Sequence, residues 1–161
     1  MALRPIVMHP DPRLRVTCAP VTDFDANLRA LADDMFETMY AAPGRGLAAP
    51  QVGMTCRMFV MDPDWKEGPP APLVIVNPEI LAASQSRQVY AETCLSVAGS
   101  IRRIARPAAV RMRWQDLSGR VQEGAFIGVS AVIAQHELDH LNGVLLLDHD
   151  AVPLPDPDKP A

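Results

Sequence analysis

The stretch Gln135-His136-Glu137-Leu138-Asp139-His140 sets two histidines four residues apart, with a glutamate directly after the first. On a helix, positions i and i+4 share a face, so both imidazoles reach one metal ion while Glu137 is turned toward water beside it. The chemistry of such a set is hydrolysis, because a bound divalent ion makes water a nucleophile and a carboxylate handles its proton. A surface helix can carry the same residues by chance, so the remaining ligands decide the matter.

Several ways of completing the set are closed to this chain. In H-E-x-x-H-x-x-G-x-x-H proteases a histidine follows the glycine; here Gly143 is in place, but Leu146 occupies the ligand position and cannot bind a metal. A downstream glutamate, as in proteases of the thermolysin type, is excluded because no Glu follows Glu137. The third ligand therefore lies upstream, or just beyond the helix at Asp148 or His149, which read as solvated loop residues. The best upstream candidate is Cys94, in Glu92-Thr93-Cys94-Leu95-Ser96. A thiolate with two imidazoles suits a borderline-soft divalent ion such as Fe, Co, Ni or Zn and leaves a position open for water.

The other cysteines are Cys18 and Cys56, and an odd count without a secretory segment predicts reduced thiols in a cytoplasmic protein. Cys56, close to the run Met58-Phe59-Val60-Met61, reads as a small buried hydrophobe, and Cys18 likewise. A third segment, from Gly44 to Gly53, is rich in small residues, which allow a turn or a close approach to the backbone. Alone it reads as a helix-to-strand loop. Its Gln51 nonetheless offers an amide donor of the kind that stabilises an oxyanion.

These residues need elements to position them. Val129, Val132, Ile133, His136 and His140 recur at spacings of three and four, which predicts a helix ending at Gly143. Asp23 to Met39 reads as an amphipathic helix capped by Asp23 or Asp25, with a stripe of Leu28, Leu31, Met35 and Met39, stopped by Pro43 and Gly44. Strands are predicted over 58–61, 73–77, 110–114 and 121–127, and the proline-rich stretch 62–72 is predicted to be a surface loop. At 161 residues and 48% hydrophobic, the chain has the material for one compact domain over residues 1–150. The proline-rich residues 151–161 are expected to form a disordered tail. No apolar run approaches the ~18–20 residues of a membrane span, and a net charge of −4 gives no general attraction for nucleic acid. The arginines at 102, 103, 106, 111, 113 and 120 make the later middle locally basic, although strand alternation is expected to spread several of them over different faces.

Together, Gly44 to Gln51, Glu92 to Ser96 and Gln135 to His140 resemble, in order, the three motifs of the peptide deformylase family. The resemblance implies an α+β fold with antiparallel β-sheets around a central helix carrying the HExxH motif. It implies Cys94, His136 and His140 as ligands of one divalent metal ion per chain, natively Fe(II) with Zn, Ni or Co as substitutes. Glu137 would be the general base and acid, and Gln51 and the Leu95 backbone N–H would hold the oxyanion. The substrate would be an N-formylmethionyl peptide or nascent chain, bound as an added strand beside Arg45, Gly46 and Thr93. Val129, Val132 and Ile133 are candidates for its methionine pocket.

Four departures from the family pattern stand out. Thr93 replaces a glycine, with its side chain expected on the strand face opposite Glu92 and Cys94. Arg45 replaces an aliphatic residue and is expected to favour acidic substrates. Ala98 replaces a proline, and Ile101 falls where many members carry an arginine. The neighbouring Arg102 reads as part of a solvated strand face. Arg106, by the resemblance, pairs with Glu92. These changes keep alive a rival reading, a deformylase-like protein that binds peptides without turning them over. Ribosome contact is not expected, because the chain leaves no room for the long C-terminal helix that some deformylases use.

Overall fold

Residues 2–158 are described by the structure, a computed structural model. Strand β2 (Met58–Met61) shows how the molecule is layered: Met58 and Val60 enter one apolar cluster, Phe59 and Met61 another. Side chains alternate along a strand, so one with a helix on each face must be apolar throughout. β2 pairs with β1 (Gly46–Ala48) and β3 (Leu73–Ala83), and β6 (Ala109–Gln115) and β7 (Val121–Ile127) complete an antiparallel sheet of order β1-β2-β3-β6-β7. Helix α1 (Ala26–Ala41) packs Leu28, Leu31, Met35 and Met39 against one face. Helix α2 (Gly128–Leu141) packs Ala131, Ala134, Leu138 and Leu141 against the other.

A separate hairpin, β4 (Arg87–Cys94) with β5 (Val97–Pro107), lies across the far side of α2. Gln135 Nε2 donates to the Pro107 carbonyl at 3.0 Å, and Gln88 Nε2 to the Gly128 carbonyl at 2.8 Å. The fold is thus α+β, with antiparallel sheets on both sides of the helix bearing the two histidines. A helix enclosed in this way is buried almost all round, which explains why its apolar stripe is broad rather than sharp. Gly143, at φ 71°, follows it; a Cβ there would stand 2.5 Å from the Arg15 carbonyl oxygen. No helix among the described residues is long and apolar enough to cross a membrane.

The structure amends several expectations. Of the two candidate caps for α1, Asp25 acts, accepting from the Leu28 N–H at 3.0 Å, so the helix starts at Ala26. β3 continues past Asn77 to Ala83 although Asn77 and Pro78 read as a strand end. A register shift absorbs them, and the Asn77 side chain bonds both Val21 and Gln115. Arg102 is not simply solvated: it donates to the His149 carbonyl at 2.8 Å. Beside it the Val152 N–H donates to the Arg103 carbonyl at 2.7 Å, so the start of the C-terminal segment follows β5. Residues 159–161 of the tail expected to be disordered lie outside the described residues.

Candidate metal centre and active site

His136 and His140 project from one face of α2, their ring centroids 5.1 Å apart, and Cys94 meets them from the end of β4. The three potential ligand atoms lie within 4.8 Å of one another, with Cys94 Sγ 3.4 Å from His140 Nε2. Glu92, two residues before Cys94 and buried on the same strand face, accepts from His136 Nδ1 at 2.9 Å. That bond fixes the ring's tautomer and turns its Nε2 toward Cys94 and His140.

Behind this ligand set lies a network of charges. Arg106 on β5 grips the Glu92 carboxylate through Nε at 2.7 Å and Nη2 at 3.0 Å, as the resemblance implied. Its Nη1 also donates to Asp139 Oδ2 at 2.9 Å, and the same oxygen lies 2.8 Å from His149 Nε2. This Asp139 arm went unread in the sequence, where the residue is hidden inside the motif. Burial alone would raise the Glu92 carboxyl, but the hydrogen bonds from His136 and Arg106 outweigh it and hold it below its usual range. Asp148 is exposed and His149 partly so, as expected, but both are tethered. Asp148 accepts from the Leu145 N–H and pairs with Arg15, His149 is tied to Asp139, and neither joins the ligand group.

The donor set suits a divalent ion, and the electrostatics agree with its chemistry. Burial opposes a charge on His136, yet its hydrogen bonds to Cys94 and Glu92 push it up to about 10, so the centre attracts a cation where that proton sits. His140 is held well below its usual value by burial and by the charges of His136 and Arg106, which keeps its imidazole free to coordinate. Glu137 stands beside the set, with Oε1 4.0 Å from His136 Nε2 and Oε2 buried without a hydrogen-bond partner. Burial pushes its carboxyl up to about 7 against the pull of His136, a value that suits a group which both takes and gives a proton.

Gln51 sits in a 3-10 turn (Ala49–Val52) just after β1. Its Oε1 accepts from the Ala48 N–H at 2.9 Å, which fixes the amide so that Nε2 faces Ser96 Oγ at 3.0 Å and Cys94 Sγ at 3.7 Å. Leu95 and Ser96 form the turn between β4 and β5, and no turn or loop hydrogen bond among the described residues takes the Leu95 N–H. Gly46 is needed for space: a Cβ there would lie 2.9 Å from Glu137 Cγ and 3.0 Å from Ile133 Cγ2. The close approach to the backbone there is made by side chains of α2.

A groove of about 310 Å³ opens onto these groups, bounded by Pro43–Gly46 and by Tyr90–Leu95 of the β4 segment. Arg45, Gly46, Thr93, Val129, Val132 and Ile133 all line it. Thr93 is exposed between buried Glu92 and Cys94, on the opposite strand face. Arg45 requires a correction. Its guanidinium is not free to meet an acidic substrate, because it donates to the Glu67 carboxylate at 2.9 Å and to the Pro63 carbonyl. The pairing spans 22 positions of sequence, so no local pattern announces it.

The polypeptide deformylase family model matches residues 3–154. The chain is 51% identical over 149 residues to the peptide deformylase of Afipia carboxidovorans, covering 92% of this chain and 87% of that protein. It matches the crystal structure of the peptide deformylase from Thermotoga maritima with a TM-score of 0.88 at 40% identity, over 95% of this chain and 100% of that one. It also matches the Met-Ala-Ser-bound class I type b peptide deformylase of Acinetobacter baumannii, with a TM-score of 0.87 at 34% identity, covering 92% and 99% of the two chains. With sequence and fold agreeing over nearly its full length, the chain belongs to the polypeptide deformylase family, metal-dependent enzymes that remove the formyl group from formylated nascent peptides.

Proposed function

We propose that Cys94, His136 and His140 hold one divalent ion, natively Fe(II) with Zn, Ni or Co as substitutes, and that Glu137 moves the protons of the reaction. The observation that carries this reading is the convergence of one sulfur and two imidazoles, one of them locked in its tautomer by Glu92. A formamide resists hydrolysis because its nitrogen is a poor leaving group and neutral water a poor nucleophile. The ion supplies Lewis acidity, bringing the pKa of water toward neutrality, about 7 in favourable zinc sites, and polarising the formyl oxygen. Glu137, beside the ligands but not among them, accepts the proton of the attacking water and delivers it to the departing amine, releasing formate. Gln51 Nε2 and the Leu95 N–H donate to the formyl oxygen as it gains charge, each worth ~3–4 kcal/mol in comparable acyl-transfer sites.

The peptide lies between β1 and β4 as an added strand, with its methionine against Val129, Val132 and Ile133. The Met-Ala-Ser tripeptide held by the Acinetobacter baumannii relative supports this choice of occupant. A cytoplasmic site of action accords with the reduced cysteines, one of them a ligand. Ribosome contact and nucleic-acid binding are not part of the proposal.

Anaerobic purification with metal analysis, followed by turnover of formyl-Met-Ala-Ser on the same sample, tests the reading. Cys94→Ser should lose stoichiometric metal while Cys18→Ser and Cys56→Ser keep it. Glu137→Gln should keep metal and fold but lose ~10²–10⁴ in turnover. Full occupancy in Cys94→Ser would overturn the ligand set, and unchanged turnover in metal-loaded Glu137→Gln would overturn the assigned base.

A further inference from the structure

The segment from Asp62 to Pro72, which carries no regular structure, is fastened to the rim of the groove. The Asp62 N–H donates to the Arg45 carbonyl at 2.9 Å, and its buried carboxylate takes the Tyr40 hydroxyl at 2.6 Å and the Ala71 N–H at 3.0 Å, closing the base of the loop. Trp65 Nε1 donates to the Gly44 carbonyl at 2.8 Å, and its ring stands edge-on to Tyr40 at 5.1 Å. Arg45 holds Glu67 and the Pro63 carbonyl. Lys66 is thus set between two anchored residues, with Nζ 5.7 Å from the centre of the Trp65 ring, and it borders the groove.

At the mouth of the groove, away from Glu137, the other charges are matched. Glu92 is answered by Arg106, and Arg45 by Glu67 with Asp64 adding to the attraction. Lys66 forms no ion pair among the described residues. Its neighbour Glu67 feels its field, but that carboxylate is already held by Arg45. An aliphatic residue at position 45 would leave Glu67 free to neutralise Lys66. Arg45 therefore acts by occupying Glu67, which leaves an ammonium uncancelled at the rim.

We infer that Lys66 is a specificity-determining residue, made available by the Arg45–Glu67 pair, that selects formylmethionyl peptides with an acidic side chain in the first residues after the methionine. The inference rests on the deformylation reading of the groove. Arg45, Lys66, Asp64 and Glu67 sum to zero charge, so the effect is a short-range contact within the groove mouth and not long-range steering.

The test compares kcat/KM for formyl-Met-Ala-Asp, formyl-Met-Asp-Ala, formyl-Met-Ala-Ser and formyl-Met-Ala-Lys on the metal-loaded protein. The wild type should favour at least one acidic peptide over the neutral one by ~2–5-fold, the size of an exposed charge pair, through KM and less so at high salt. Lys66→Glu should invert the order of acidic and basic peptides. Arg45→Val should erase the preference by freeing Glu67, and Arg45→Val with Glu67→Gln should bring it back. A merely structural role for Arg45 predicts no such recovery. With the neutral peptide turning over, an order of preference unmoved by Lys66→Glu, or no recovery in the double variant, overturns this inference alone. No turnover of any peptide by the metal-loaded wild type would overturn the reading of the groove and this inference with it.

Discussion

Replacing Arg106 by methionine tests whether the ligand geometry is built into the fold. The substitution keeps much of the apolar stem but removes the two hydrogen bonds to Glu92 and the one to Asp139. The Arg106 and Glu92 side chains are 5% and 4% exposed, so solvent does little to screen the charge left behind. Breaking a buried pair by removing one partner costs about 3–5 kcal/mol. At ~2–4 °C per kcal/mol for a domain of this size, the melting temperature of the metal-free protein should fall by about 6–20 °C. Glu92 would keep its bond to His136 but lose the grip that orients it, and disturbing such an outer partner lowers metal affinity ~10–100-fold. Acid sensitivity should change as well. The Glu92 carboxyl is depressed in the fold, so its contribution is present above its ordinary value of 4.5 and lost as pH falls through the folded value. Without Arg106 that loss should begin at higher pH. Thermal unfolding followed by circular dichroism, with a chelator competition for zinc, reads all three effects, and Arg106→Lys should fall between because it keeps charge without the fork. A melting temperature lowered by less than about 3 °C together with unchanged zinc affinity would refute the reasoning.

Two further predictions address the other walls of the site. Gly46 has no left-handed backbone angle, so alanine is opposed there only by Glu137 and Ile133. Gly46→Ala should keep stoichiometric metal, lose about 1–3 kcal/mol in urea unfolding and lose roughly 10²-fold in turnover as Glu137 is displaced; wild-type kinetics would show that those side chains yield freely. The second concerns pH. In the metal-free protein His136 is raised to about 10, so its bound proton stabilises the fold fully below the ordinary 6.5, and that contribution is lost as pH rises through about 10. A coordinating imidazole must be neutral, so metal binding at neutral pH should release at least one proton and tighten as pH rises. Calorimetric titration in buffers of different ionisation enthalpy checks this, and an absence of proton release would sink it.

What was legible in the sequence is local geometry or donor chemistry. His136 and His140 share a helix face because four residues make about one turn, and Cys94 was the best upstream candidate for a third ligand on thiolate chemistry, with Asp148 and His149 left open. β2 and β7 end where their composition says, at Met58–Met61 and Val121–Ile127. The hairpin of β4 and β5 was harder to read because β5 carries Arg102, Arg103 and Arg106 on alternating faces, and the partners of Arg102 and Arg106 lie far away in sequence. β3 was cut short at Asn77 because its bulge is held by side-chain bonds to Val21 and Gln115, remote in sequence. Arg45 was read as a free charge for the same reason. Side-chain pairings between distant segments are fixed by the finished fold, and a charged residue reads alike whether solvated or matched.

The remoteness of these pairings bears on what the metal does for the fold. In small metal-stapled domains the ligands come together only when the ion binds, and its removal unfolds the chain. Here the two main apolar clusters on either side of the five-stranded sheet contain none of the three proposed ligands. Cys94 belongs to a smaller cluster with Val97, Ile104 and Leu146, and the hairpin that carries it is tied to α2 by the side chains of Glu92, Arg106 and Gln135. The ligand atoms are therefore held near one another by packing and by a charge network, as preorganised sites require. Stability and metal occupancy should accordingly separate. Removing Arg106 strikes both, because it belongs to the network, whereas Cys94→Ser empties the centre while the sheet, α1 and α2 keep their cores.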